Sequence, residues 1–341
     1  LVQLTNFKKG KSEEKPKEKE SFLKEQQKEL FQFVRDQELK EKWNTANDDA
    51  KSDFPKPYFF GKNSIESSKA SPKGDFVTFR LREEAEVKQE EMELFITADG
   101  YNKSRDTKTK VSTNNFVNTK MGIYNVAKDT VYMVNFSSLS HIQDVPDYFK
   151  LYEKNKNLDK KDKLIVAQAP IYNQDGSYAI VEIRSQDNKD RWLVNLNLAT
   201  GSFKEIEHQH DEAWIGGPGI PSYAFSSGTL GFLADNETIY FQSEITGYSH
   251  LYTYNLRTNK KVQLTQGNWE VRGVVLSKDK KTFYLTTNTT HPGNREWYKM
   301  NVSDAVLQPI LTPIYFQSLS SIYMRVILSK IICQSVSVGI T

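Results

Sequence analysis

Four segments of the chain repeat one pattern, in which an apolar strand is followed by Asn, an aliphatic residue, a short turn and a second strand. The recurring Asn residues are Asn125, Asn197, Asn255 and Asn301. Gly, Asn and Asp at such turns tolerate a left-handed backbone, so a short hairpin can reverse without splaying its strands. A repeat of this kind constrains the fold strongly, because each copy must form the same small unit.

A second hairpin signal precedes each Asn-centred segment, since polar turn residues lead into strands rich in β-branched and aromatic side chains. Two hairpins per unit give four antiparallel strands, at a minimum period near the ~40–45 residues of a propeller blade. The sequence therefore predicts an all-β fold, a partial β-propeller of four-stranded antiparallel blades. A β-sandwich of short strands is the alternative.

The predicted blades cover residues 62–136, 164–210, 222–267 and 271–312, so the propeller extends over residues 62–312. The opening run VQLT at 2–5 repeats the run at 262–265, which closes the third predicted blade. Residues 1–7 are therefore predicted to be the last strand of a truncated blade, and we expect the chain to begin inside a larger protein.

Residues 8–61 are predicted to form a charged helical insertion. Between residues 20 and 43, apolar side chains recur at helical spacing and Glu–Lys pairs stand four residues apart, which predicts an amphipathic α-helix. We expect it to pack on the propeller edge; a docking arm for another domain or subunit is the alternative. A second polar insertion, at 83–116, predicts a long loop or a hairpin.

The C-terminal segment, 313–341, departs from the composition of the rest of the chain. Its only charged residues are Arg325 and Lys330, and it lacks the blade pattern. We expect an atypical apolar tail outside the repeat, with truncation or a change of reading frame as one hypothesis for its origin.

Charge and cysteine content exclude several classes of protein and site. Lys and Arg number 46 against 43 Asp and Glu, a net charge of +3 that is too balanced to predict a nucleic-acid surface. A single cysteine, Cys333, excludes an internal disulfide framework and a Cys-based zinc cluster. His208 and His210 beside Asp211 resemble half of a zinc site, but the sequence indicates no further ligands. We therefore expect neither a metal nor another cofactor.

Three stretches carry a resemblance to a known family. They are DNKDRW at 187–192, DEAWIGGPG at 211–219 and FQSEITGYSHLY at 241–252. With them the chain resembles, over residues 55–312, the N-terminal β-propeller of the prolyl oligopeptidase family of serine peptidases, in its dipeptidyl peptidase IV-like branch.

The resemblance implies a propeller that caps a C-terminal α/β-hydrolase domain with a Ser-Asp-His triad. It implies a peptide substrate, and removal of dipeptides from the amino end of short peptides by the full-length protein. It suggests a periplasmic or cell-envelope location and a homodimer as a further partnership. The sequence itself does not indicate the compartment.

A hydrolase of this family needs a Gly-x-Ser-x-Gly turn for its nucleophile, and the chain contains no such pentapeptide. We therefore predict no catalytic residue here and expect the chain alone not to cleave peptides. Its predicted role is to gate and orient the substrate as the non-catalytic propeller of a dipeptidyl peptidase-like enzyme. The alternatives are a stand-alone propeller that binds a peptide or protein, and a broken gene product without independent function.

Asp211 and Glu212 are the candidate ligands for a substrate amine. In the family that the chain resembles, paired glutamates from the propeller bind the free amino terminus of the substrate, whereas this chain has an Asp-Glu pair. A carboxylate there can form a charge-assisted contact with an ammonium group. Trp214 is a candidate substrate contact. A solvated acidic loop that Trp214 anchors is the alternative.

Overall fold

The computed structural model describes residues 3–8, 10, 39–47, 55–84, 89–109, 117–152, 160–221 and 223–311. Strands dominate these ranges, and the helical stretches in them are residues 39–47 and a short 3₁₀ helix at Asp147–Leu151. The helix predicted over 20–43 is thus observed at 39–47, with exposed side chains, and its earlier part lies outside the described residues. Within the same ranges no helix has the length and apolar character needed to cross a membrane.

The first strand, β1 (Phe7–Lys8), pairs in parallel with β2 (Tyr58–Phe59). Residues 1–7 are predicted to form a blade strand, but the strand observed here has β2 as its partner instead. The Phe7 ring packs against Phe79 at 4.8 Å and against Phe60 at 5.5 Å between ring centroids, and this apolar contact covers one face of the first blade.

The remaining strands form four successive antiparallel sheets, or blades, and one separate hairpin. The first blade contains β3 (Ser64–Ala70) and β4 (Phe76–Arg82) and, after the hairpin of β5 (Glu91–Leu94) and β6 (Lys103–Asp106), β7 (Thr119–Asn125) and β8 (Thr130–Met133). The second contains β9 (Ile165–Ala167), β10 (Ile171–Tyr172), β11 (Ala179–Ser185), β12 (Asp190–Leu196) and β13 (Phe203–His210). The third contains β14 (Leu230–Phe232), β15 (Thr238–Ser243), β16 (His250–Asn255) and β17 (Lys260–Gln263). The fourth contains β18 (Val271–Leu276), β19 (Thr282–Thr287), β20 (Glu296–Asn301) and β21 (Leu307–Leu311).

The recurring Asn residues close the third strand of each blade onto the fourth. The side-chain oxygens of Asn125, Asn197 and Asn255 accept hydrogen bonds from backbone amides two or three residues further on, at 2.8 to 3.2 Å. Four residues after each Asn, the backbone adopts a positive φ at Asp129, Gly201, Asn259 and Ala305. The repeat seen in the sequence is therefore a repeated turn geometry.

Successive blades pack face to face, each pair enclosing its own apolar core. Ile123 and Trp192 lie in the core between the first and second blades, and Ile180 and Phe241 in that between the second and third. Phe283 lies in the core between the third and fourth. In the second blade, β9 and β10 both pair with the edge of β11 opposite β12 and together take the place of one outer strand. Because four sheets share three interfaces in series, the described chain is a partial β-propeller, and the prediction of four-stranded antiparallel blades is confirmed. The two-layer sandwich does not apply.

Gly122 provides a test of this packing. It lies directly opposite Phe79 on the neighbouring strand, and a Cβ on Gly122 would come within 2.3 Å of the Phe79 ring. We expect Gly122→Ala to lower the free energy of unfolding by about 1–3 kcal/mol in urea titrations, because the ring must move within a filled core. In a Phe79→Leu background the same change should cost clearly less, and an equal cost in both backgrounds would contradict the contact.

Candidate functional site

The two ends of the blades carry different kinds of connection. Because the strands of each blade alternate in direction, the connections between blades and the turns between second and third strands lie at one end, here called the long-loop end. Of its main segments, 83–118, 134–164, 211–229 and 244–249, the structure describes residues 83–84, 89–109, 117–118, 134–152, 160–164, 211–221, 223–229 and 244–249. The other end, the short-turn end, carries the turns between first and second and between third and fourth strands, and these are short and polar.

Exposed apolar side chains concentrate at the long-loop end. Among the described residues, twelve large ones there are 38–98% exposed: Met92, Phe95, Ile96, Tyr101, Tyr148, Leu151, Tyr152, Leu164, Trp214, Tyr223, Ile245 and Tyr248. In the described turns of the short-turn end, the large apolar side chain with comparable exposure is that of Val306. Exposed apolar surface gathered on one side of a protein marks an interaction surface.

Asp211 and Glu212 begin the connection from the second blade to the third, at the long-loop end. The Asp211 carboxylate accepts hydrogen bonds from the backbone amides of Ala213 and Trp214, at 2.7 and 2.8 Å, and so shapes the turn. The Glu212 carboxylate is about half exposed and lies 3.5 Å from His210 Nε2 and 3.9 Å from Lys189 Nζ. Both residues are exposed, but the Asp211 carboxylate is bound to the backbone of its own turn, whereas the Glu212 carboxylate faces the side chains of His210 and Lys189.

Trp214 follows in the same connection and is 53% exposed. The residue that anchors this turn is its neighbour Ile215, which is 3% exposed and whose amide donates to the carbonyl of Asn188 at 2.7 Å. The indole is thus about half exposed at the surface of the long-loop end.

Glu244 is a further acidic residue at this end and is not among the sequence-based candidates. Burial raises the pKa of its carboxyl, and the negative charges of Glu270 and Asp211 raise the pKa further. Within the described part of the chain, no ion-pair partner faces Glu244, and its carboxylate lies against Gly217, where no side chain intervenes. Its acidic neighbours are distant in sequence, so no local charge pattern marks the cluster.

The histidines that resemble half of a zinc site have another role. Both bind the buried carboxylate of Asp190, through His208 Nε2 at 2.9 Å and His210 Nδ1 at 2.8 Å, and Lys163 Nζ binds its other oxygen. Burial alone would raise the pKa of Asp190, but these hydrogen bonds and the charge of Lys163 outweigh burial and lower the pKa to about 2. In the described ranges, no group of three or more His, Cys, Asp or Glu side chains is arranged so that it could hold a metal ion.

Asp190 thereby joins three elements beside the candidate site. It lies on β12, the histidines lie on β13, and Lys163 ends the connection from the first blade. A cleft of about 610 Å³ opens next to this cluster, and His141, His210 and Glu212 are among its lining residues. The His141 ring stacks on His208 at 4.7 Å, so the connection is held to β13 by stacking as well as by charge.

Replacing Asp190 tests this junction. We expect Asp190→Asn to lower the free energy of unfolding at pH 7 by about 3–5 kcal/mol, since it leaves the nearly buried ammonium of Lys163 without a counter-charge. Because folding depresses the pKa of Asp190, its contribution is present above the unfolded pKa of about 3.9 and is lost as the pH falls towards 2.

The wild type should therefore lose stability between pH 4 and pH 2 more steeply than Asp190→Asn, as chemical denaturation at each pH would measure. Asp106→Asn, which replaces an exposed acid on β6, is the matched control and should change little. Parallel pH profiles for the wild type and Asp190→Asn would contradict the assignment.

Known proteins match this chain over the blades described above. The chain matches the family described as Dipeptidyl peptidase IV (DPP IV) N-terminal region over residues 66–330, a range that begins in the first blade and continues into the predicted tail. Dipeptidyl peptidase 4 of Arthroderma otae is 28% identical over 130 residues, and that of Trichophyton rubrum is 30% identical over the same length. Each of these alignments covers 38% of this chain and 16% of the relative, so the chain matches only a small part of their length.

Among solved structures, Porphyromonas gingivalis dipeptidyl peptidase 4 is 15% identical with a TM-score of 0.49, and the alignment covers 71% of this chain and 30% of that one. The family match covers well over half of the chain and includes all four blades. The chain therefore belongs to the dipeptidyl peptidase IV N-terminal region family.

Proposed function

We propose that this chain is the non-catalytic propeller portion of a dipeptidyl peptidase-like serine peptidase, and that its long-loop end faces the peptide substrate. The observation that carries the proposal is the placement of a half-buried carboxylate, Glu244, which faces no ion-pair partner among the described residues and lies among exposed apolar side chains at that end. A short peptide with a free amino terminus combines a cation with apolar side chains, and so complements both features.

The acidic residues give the proposal its chemistry. Glu244 lies close enough to Glu270 and Asp211 for their charges to disfavour its ionised form, and a bound ammonium group would relieve that repulsion. Glu212, the sequence-based candidate, adds a carboxylate that reaches solvent on the same connection. Trp214, next along the chain, offers an aromatic face to the peptide.

The apolar surface of the long-loop end supports a second part of the proposal. We infer that an α/β-hydrolase domain covers this end in the full-length protein and supplies the catalytic triad, while the long connections restrict access to short peptides. Homodimer formation and a periplasmic or cell-envelope location stay predictions from the family resemblance.

Peptide binding tests the proposed site. Calorimetric titration of the chain with trialanine should show binding at least tenfold tighter than with N-acetyl-trialanine, because acetylation removes the positive charge that the carboxylates bind. Glu244→Gln should abolish that preference, and Glu212→Gln should weaken it. Glu237→Gln, which replaces a partly exposed acid at the short-turn end, should leave it unchanged. Equal affinities for both peptides would contradict the amine site.

A hydrolysis assay tests whether this chain is non-catalytic. The purified chain should not hydrolyse a chromogenic dipeptidyl substrate, because the sequence lacks a nucleophile turn. Hydrolysis blocked by a serine-directed inhibitor would overturn this part of the proposal. A Gly-x-Ser-x-Gly with following Asp and His in the downstream coding sequence would support the peptidase over a stand-alone binding propeller.

A further inference from the structure

Three charged side chains are fully buried on the face of the second blade that packs against the third. Glu182 and Arg184 lie two residues apart on β11, so both point to this face, and Arg191 lies directly opposite Arg184 on β12. Their side chains are 2%, 0% and 0% exposed. Buried charges persist only where other groups compensate them.

Glu182 and Arg191 compensate each other and connect neighbouring parts of the structure. Arg191 Nε donates to Glu182 Oε1 at 2.7 Å, and Arg191 Nη1 donates to the carbonyl of Gln242 in the third blade at 2.9 Å. The other oxygen of Glu182 accepts from the amide of Gly228 at 2.8 Å. One end of the connection 211–229 is therefore bound to this ion pair.

Among the described residues, no carboxylate forms an ion pair with Arg184. Its terminal nitrogens donate to two backbone carbonyls of the same connection, that of Ile215 at 2.7 Å and that of Pro221. Burial lowers the pKa of Arg184 to about 10, so the side chain stays positively charged at neutral pH. Glu182 neutralises one of the two buried arginines, Arg191. The charge of the other, Arg184, is compensated by backbone carbonyls of the connection.

We propose that Arg184 is a positioning residue, whose guanidinium holds the connection 211–229 in the shape that presents Glu212 and Trp214 at the long-loop end. If the connection detached, the guanidinium would lose two acceptors in a buried setting, which makes detachment costly. The inference rests on the proposed function for its consequence in peptide binding, but its effect on the connection can be measured separately.

The geometry requires an arginine in particular. Two nitrogens of one planar group reach carbonyls six residues apart along the chain, whereas a lysine ammonium is a single point charge. Arg184→Lys therefore keeps the charge and loses the two-pronged contact. Arg184→Met removes both the charge and the contact while keeping apolar volume in the core.

Hydrogen exchange and peptide binding, measured on the full chain, test the proposal. In Arg184→Met we expect the amides of Ile215 and Ile220 to exchange at least tenfold faster and trialanine affinity to fall at least tenfold. The amides of Ile239 and Phe241 in the third blade should keep their protection. Arg184→Lys should give intermediate values. Arg257→Met, which removes an exposed ion pair at the short-turn end, is the matched control and should change neither readout.

Gly228→Ala is a second way to displace the connection 211–229, and it leaves the Arg184 side chain unchanged. A Cβ at this position would lie 2.6 Å from the carbonyl oxygen of Gly219 and 3.0 Å from Arg191 Nη2, so the connection must shift away. We expect the same faster exchange at Ile215 and Ile220. This variant and Arg184→Lys keep the test valid if Arg184→Met does not fold.

The outcomes separate this inference from the proposed function. Faster exchange in the connection with no trialanine binding even by the wild type supports the positioning role and contradicts the peptide site. Unchanged exchange in both Arg184→Lys and Gly228→Ala overturns the positioning role. Lower trialanine affinity with unchanged exchange also overturns it, because the effect would not act through the connection.

Discussion

Face-to-face packing of successive twisted sheets is the interaction on which the rest of this structure depends. Each interface between blades has an apolar core, and burial of a side chain such as Phe241 stabilises the fold by about 1.5–3 kcal/mol. At the interface of the second and third blades, the apolar core gives way to buried charges towards the long-loop end. The packing that stabilises the propeller therefore also fixes the base of the connection that carries the candidate site.

The two ends of the blades therefore differ in character: one consists of turns that close hairpins, and the other carries the candidate site. Short polar turns with positive-φ residues close one end, and long connections with exposed aromatic and acidic side chains form the other. At the long-loop end, the ionised form of Glu244 is disfavoured by burial and by its acidic neighbours. A carboxylate that faces no ion-pair partner in the described part of the chain is suited to bind a cationic group from outside.

The architecture is predictable from the sequence because it rests on local signals. Asn125, Asn197, Asn255 and Asn301 mark equivalent turns, and the four sheets fall within the four predicted units. The positions of Asp211, Glu212 and Trp214 in a connection between blades follow from the same repeat. A local pattern suffices where the structure is built from hairpins.

The remaining features depend on residues far apart in sequence. Asp190 lies 27 residues from Lys163, and Arg184 lies 31 from Ile215, so no motif joins them. The pairing of β1 with β2 depends on aromatic packing on the first blade, whereas the matching VQLT runs indicate a blade strand. For the histidine pair, the sequence shows that both side chains share a face but not that a buried carboxylate lies between them.

Chemical-shift mapping on chain labelled with ¹⁵N at glycine tests the central claim, that peptides bind at the long-loop end, most directly. Gly217, Gly219 and Gly247 lie at that end, whereas Gly74, Gly176 and Gly201 lie in turns of the short-turn end. On addition of trialanine, the first group should shift and the second should not. Shifts confined to the short-turn glycines, or none at millimolar peptide, would contradict the account.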